Sequence, residues 1–134
     1  MAVVWEAKGE AARVLRERRA FRNCLAAFAE PSDGIDAAEL IYGELVANTV
    51  RYANGAVEVQ LELVDSTQPV LVVRDHGPGL RCDPVNQRRH PYAESGRGLG
   101  IVELLARDVA VQQADGGGTV IRAVLPVTPR KRAA

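Results

Sequence analysis

The chain has 134 residues, 47% of them hydrophobic, with 17 Lys plus Arg against 17 Asp plus Glu. That length fits one domain able to bury about two-thirds of its unfolded surface, and the apolar fraction excludes a disordered polymer. Zero net charge and six aromatic residues exclude a general nucleic-acid binder, which needs a basic field and stacking platforms.

In chain order, residues 2–5 read as a short apolar strand. From residue 10 to 29, Val14, Phe21, Leu25 and Phe28 recur with arginines between them, which predicts one amphipathic helix. Pro31-Ser32-Asp33-Gly34 breaks the chain. Asp36 is placed to cap the next helix, with Glu39 three residues on as in a capping box. That helix is expected to run to about Ala53 and to end at Asn54-Gly55.

Residues 56–64 alternate Val57, Val59, Leu61 and Leu63 with Glu58, Gln60 and Glu62, the pattern of a strand with one wet face. Residues 70–73 are apolar throughout and predict a more central strand. The stretch 80–95 is polar and nearly without core residues; a loop this long in a small domain is usually functional. Helical spacing returns at Leu99, Val102, Leu105 and Ala106, and two closing strands are expected near 109–113 and 119–125. No repeat or linker divides the chain, so residues 1–134 are read as one α+β domain ending in a short basic tail at 127–134. Cys24 and Cys82 stand apart with no CxxC spacing, which argues against zinc or a disulfide framework and for a reducing cytoplasm. No leader and no apolar run of about 20 residues is present, so a soluble cytosolic protein is expected.

Eight of the 12 glycines fall between residues 77 and 118. Glycine costs conformational entropy, so such a cluster points to unusual dihedrals or close approach to a ligand, against the plainer reading of three ordinary turns. Asp75-His-Gly77-Pro-Gly79 follows directly on a buried strand, where a carboxylate suits hydrogen bonding to an exocyclic amine such as that of adenine. Gly96-Arg97-Gly98-Leu99-Gly100 opens the third helix, whose free amides and positive dipole end make an anion site. The segment is neither a Walker loop nor a Rossmann fingerprint. Glu44 and Asn48 share one face of the second helix. Alone they would be a surface pair. Beside a phosphate-binding helix, hard oxygen ligands point to Mg²⁺, with Glu44 as a base for phosphoryl transfer.

These four segments together resemble the GHKL superfamily of ATPases and kinases. Glu44-Leu-Val-Ala-Asn48-Thr-Val-Arg51-Tyr52-Ala53 resembles its N box, the segments at 75–79 and 96–100 its two glycine boxes, and Gly117-Gly118-Thr119 its last motif. Order and spacing match over residues 10–126. The form of the N box is most similar to that of the bacterial anti-sigma-factor serine kinases, although Tyr52 stands where many of those carry His.

The resemblance implies a Bergerat fold: a two-layer sandwich of a mixed, largely antiparallel sheet with helices on one face. It implies ATP and Mg²⁺ as cofactors, with Asn48 on the metal and Glu44 taking the proton from a substrate serine. Asp75 would hold the adenine amino group with Thr119 in support. Gly77 and Gly79 would admit the purine, and residues 80–95 would form a lid. Gly98, Leu99 and Gly100 would hold phosphates, with Arg51 and Arg97 as further phosphate contacts. The implied partners are a sigma factor and an anti-sigma antagonist, with a homodimer possible and neither nucleic acid nor membrane bound directly.

The leading expectation is therefore a serine/threonine kinase of the anti-sigma type. The alternative is an ATP-sensing binding module without kinase activity, which retention of Glu44 disfavours. The catalytic domain of a sensor histidine kinase ranks lower, because His76 and His90 both fall in loop sequence and not on a dimerising helix.

Overall fold

The computed structural model describes residues 1–52, 56–65, 67–75, 97–114 and 117–131. Its elements are β1 (Ala2–Glu10), α1 (Ala11–Leu15), α2 (Arg18–Phe28), α3 (Asp33–Tyr52), β2 (Ala56–Val64), β3 (Gln68–Asp75), α4 (Arg97–Leu105), β4 (Asp108–Gln113) and β5 (Thr119–Val124). The five strands form one sheet in the order β1-β2-β3-β5-β4. Every pairing is antiparallel. The sheet, expected to be mixed but largely antiparallel, is antiparallel in every described pairing, and the topology supplies the reason. β3 and β4, connected through α4, run the same way, but β5 inserts between them, so no parallel neighbours meet among the described residues.

The alternation in β2 places Val57, Val59 and Leu61 on one face, where they meet Leu71, Val73, Ile121 and Ala123 of the neighbouring strands. The helices cover that face with Val14, Phe21, Leu25, Ile41, Tyr42 and Leu45, all fully buried. Phe21 and Tyr42 stack with ring centroids 4.7 Å apart, and Trp5 of β1 meets both edge-on at 5.7 and 5.8 Å. The Tyr42 hydroxyl donates to the Val14 carbonyl at 2.7 Å, so this polar tip is satisfied inside the core.

Three elements depart from the sequence reading. The single helix expected over 10–29 is two, because the amides of Arg16 and Glu17 bond back only three residues, to Arg13 and Val14, and close α1. β1 extends to Glu10, since Ala7 and Gly9 are too small to show the alternation that Glu6, Lys8 and Glu10 complete. α3 begins at Asp33, three residues early. The Ser32 hydroxyl accepts the Gly34 amide at 3.2 Å and does the capping. Asp36 and Glu39 instead receive Arg22 at 2.6 and 2.8 Å, tying α2 to α3. The expected end of this helix at Asn54-Gly55 lies outside the described residues.

Among the described residues no helix is long and apolar enough to cross a membrane.

Candidate functional site

At one end of the sheet, Asp75 closes β3 and Thr119 opens β5. The β3–β5 register pairs Arg74 with Val120, so one step outward sets Asp75 beside Thr119, while on its other side Asp75 faces Val57. Both are nearly sealed, Asp75 3% and Thr119 1% exposed. A carboxylate survives at such a place only when it is held by polar groups, or when a ligand completes its surroundings. The Thr119 hydroxyl is buried with no hydrogen-bond partner among the described residues.

The tight approach at this corner depends on glycine. Gly117 and Gly118 take φ of +105° and +89°, and the β4–β5 turn closes with Ala114 and Gly118 bonded at 3.0 Å. A Cβ on Gly118 would stand 2.2 Å from the Asp75 carbonyl oxygen. Only a residue without a side chain lets β5 start this close to the end of β3. The sequence places Gly118 in the last motif, Gly117-Gly118-Thr119, but its task, clearance for the Asp75 carbonyl, appears only with the register.

The second wall is α3, which packs on both β3 and α4. Ile41, Tyr42, Leu45 and Val46 turn inward and fix the helix against the sheet. Asn48 lies on the same helix, 1% exposed, and its amide nitrogen has no hydrogen-bond partner among the described residues. A buried amide left unpaired costs about 1–3 kcal/mol, so a site that keeps one has a use for it. Glu44, one turn earlier, is half-buried and opens on a groove of about 520 Å³ between α1, α2 and α3.

α4 supplies the third wall. Leu99 and Val102 bury their side chains and hold the helix down. Gly100, in its first turns, faces open space, for a Cβ there would meet nothing within 4 Å. The first amides of any helix lack intrahelical partners, so this open end offers donors to an anion. Arg51 lies in the last turn of α3, and Arg97 and Gly98 in the first turn of α4. The phosphate contacts expected of the two arginine side chains, like Gly77, Gly79 and the 80–95 lid, lie outside the described residues.

A carboxylate at a strand end, a buried amide on a flanking helix and the first turn of a second helix thus lie on three linked elements, β3, α3 and α4. Residues 7–125 match the histidine kinase-like ATPase domain family. The chain belongs to this family. Domains of this kind bind ATP and serve kinases, and they share the GHKL fold. Among curated proteins, the Autoinducer 2 sensor kinase/phosphatase LuxQ of Vibrio harveyi is 32% identical over 109 residues, covering 66% of this chain and 13% of LuxQ. The Sensor protein CutS of Streptomyces coelicolor is 36% identical over 107 residues, covering 66% of this chain and 26% of CutS. The chain thus spans about a quarter or less of these relatives. Among solved structures, the histidine kinase domain of the E. coli osmosensor EnvZ aligns over 100% of this chain and 94% of that one, with a TM-score of 0.51 and 19% identity. That likeness carries the α+β fold. LuxQ is a sensor kinase/phosphatase and CutS a sensor protein, so the narrower likeness to anti-sigma-factor kinases rests on the residues of the N box.

In a histidine kinase-like ATPase domain Mg²⁺ would sit beside the phosphates of ATP, and Asn48 is the residue that would hold it here. Asn48 contributes one amide, whose oxygen and nitrogen exchange by a flip, and Mg²⁺ takes few protein oxygens beside phosphates and water. An Asn48→Leu variant should raise the stability of the nucleotide-free domain by about 1 kcal/mol, since an apolar side chain of similar volume removes the unpaired amide. The same variant should lose about tenfold in magnesium-dependent ATP affinity. Thermal unfolding and calorimetry with and without Mg²⁺ read the two effects; a destabilised variant with unchanged affinity would make Asn48 a structural residue.

Proposed function

We propose that this domain transfers the γ-phosphoryl group of ATP to a serine or threonine hydroxyl of a partner protein, as a regulatory kinase of the anti-sigma-factor type. The observation that carries this reading is Glu44. Its carboxylate stands one helical turn before the buried Asn48 and opens on a groove of about 520 Å³. A module that only sensed ATP would have no need of a base there.

The roles follow from chemistry. Asp75 accepts from the exocyclic amine of adenine, and Thr119, whose hydroxyl awaits a partner, supports that edge. The first amides of α4, beside Gly98, Leu99 and Gly100, donate to the phosphates, with Arg51 and Arg97 adding positive charge. Mg²⁺ at Asn48 would neutralise charge on the phosphates. Glu44 takes the proton as the substrate hydroxyl oxygen bonds to the γ-phosphorus, and the bond from that phosphorus to the bridging oxygen breaks to release ADP. By the same resemblance the partners are a sigma factor and the anti-sigma antagonist that bears the serine, in the cytoplasm, with a homodimer possible.

The sensor kinase LuxQ among the relatives and the histidine kinase-like family favour a second reading, transfer to a histidine carried by another domain. The stability of the product separates the two. The domain, incubated with γ-labelled ATP and a partner protein, should leave label that survives acid and is lost in alkali, as a serine ester does. Label that acid releases and alkali spares would be phosphohistidine and would replace the serine reading. ATP binding without any transfer would leave an ATP-sensing binding module.

A further inference from the structure

The groove on which Glu44 opens is lined by Leu15, Arg16, Arg18, Arg19 and α3, with none of Asp75, Thr119 or the start of α4, and its charges are out of balance. Arg18 on its rim is neutralised by Glu39 at 3.4 Å, and that same carboxylate also receives Arg22. Arg16 reaches only the Ala12 carbonyl of its own turn, at 3.4 Å. Arg16 and Arg19 have no carboxylate within ion-pair distance among the described residues, although both line the groove. Two guanidinium groups therefore face one concave surface without an ion-pair partner among the described residues, and the groove's unpaired carboxylate, Glu44, stands on α3. On the opposite wall Leu40 is 43% exposed, an apolar contact for whatever lies there.

The floor adds an independent observation. Gly43 sits in the interior of α3, where glycine is costly, and its φ is ordinary for a helix. A Cβ at Gly118 would strike the Asp75 carbonyl and one at Gly34 the Pro126 carbonyl, so packing explains both. A Cβ at Gly43 would meet only the flexible Arg18 side chain, at 3.3 Å from Nη1 and 3.5 Å from Cδ. No backbone contact requires this glycine. What it does is let the Arg18 side chain lie close over the floor of the groove, directly before Glu44, where Gly43 is buried beneath it.

We propose that this groove docks an acidic segment of the phosphoacceptor protein, with Asp or Glu residues against Arg16 and Arg19, an apolar residue on Leu40, and the hydroxyl-bearing residue at Glu44. The proposal rests on the phosphoryl-transfer reading for the residue placed at Glu44. Charge order sets the direction: acids at the arginine end, a neutral acceptor where the only free-facing groove charge is a carboxylate. A nucleic acid fits less well, because its evenly spaced phosphates would meet Glu39 and Glu44 as well as the arginines.

The test is the binding of a fluorescein-labelled peptide, EEDLSA, to the whole chain by fluorescence anisotropy at low salt. Binding should weaken about tenfold in an Arg16→Ala/Arg19→Ala double variant and weaken with added salt, as steering by exposed charge does. Gly43→Ala should raise the melting temperature by about 2–4 °C while weakening the peptide about fivefold or more, a pairing that a purely structural glycine would not give. ATP affinity, measured on the same samples, should stay unchanged in both variants. Equal peptide affinity in the double variant would overturn the proposal. So would equal binding of the lysine counterpart KKKLSA, tighter binding of a single-stranded oligonucleotide, or self-association that the double variant abolishes. Peptide binding in a chain that fails to transfer phosphate would sink the kinase reading and leave the docking groove standing.

Discussion

Asp75→Asn should lower ATP affinity by about 10- to 100-fold while leaving the domain folded. Asp75 is sealed at the end of β3 between Val57 and Thr119, and an incoming ligand meets it where the glycine corner holds the strands close. A carboxylate accepts a hydrogen bond from an exocyclic amine with the strength of a charged acceptor, about 1.5–3 kcal/mol. Asparagine keeps the shape but loses the charge, and half of its rotamers present an NH₂ group to the amine. The affinity for ATP should therefore fall far more than that for GTP, which has a carbonyl in place of the amine. Calorimetry with both nucleotides tests this, with the melting temperature as the control for folding. An unchanged ratio of ATP to GTP affinity would remove Asp75 from the base-recognition role, whatever happened to the absolute numbers.

Much of this architecture was legible because periodicity reports burial. The alternation at Val57, Val59 and Leu61 named the buried face of β2, and the apolar run at 70–73 named a central strand. β1 was cut short because half of it alternates polar residues with Ala7 and Gly9, so hydrophobicity alone carries no period there. The division of the first helix at Arg16 and Glu17 was invisible for a different reason. No proline or glycine marks it, and Val14 and Phe21, seven residues apart, would share one face of an unbroken helix just as they share the core here.

The site divides in the same way. A carboxylate after a buried strand and glycines before a helix are local signals, so Asp75 and Gly100 could be singled out without a fold. The contact between Gly118 and the Asp75 carbonyl depends on strand register, which joins residues 43 positions apart only after folding. The groove of Arg16 and Arg19 is likewise tertiary, since in sequence those arginines are indistinguishable from a solvated helix face. The identity of the acceptor is less legible still. The motifs hold ATP whether the phosphoryl group goes to serine or histidine, and the difference lies in the partner that reaches Glu44.

Glu44→Gln is expected to reduce the rate of phosphoryl transfer by about 10²- to 10⁴-fold, the usual contribution of a positioned general base. Glutamine matches the size of glutamate, so the groove keeps its shape, and the loss is confined to proton acceptance. ATP affinity should stay within about twofold, because the nucleotide contacts assigned to Asp75, Asn48 and the start of α4 are untouched. Since Glu44 is only half-buried, the melting temperature should move little. The diagnostic result is thus a fall in kcat with an unchanged Kd for ATP, the signature of an interaction made only on the way to the transition state. A proportionate loss of both would mean that Glu44 orients the nucleotide and not the acceptor. Full activity in the variant would show that the acceptor loses its proton without help from this carboxylate. In that case the imidazole of a phosphoacceptor histidine, already nucleophilic in its neutral form, becomes the better account of what enters the groove.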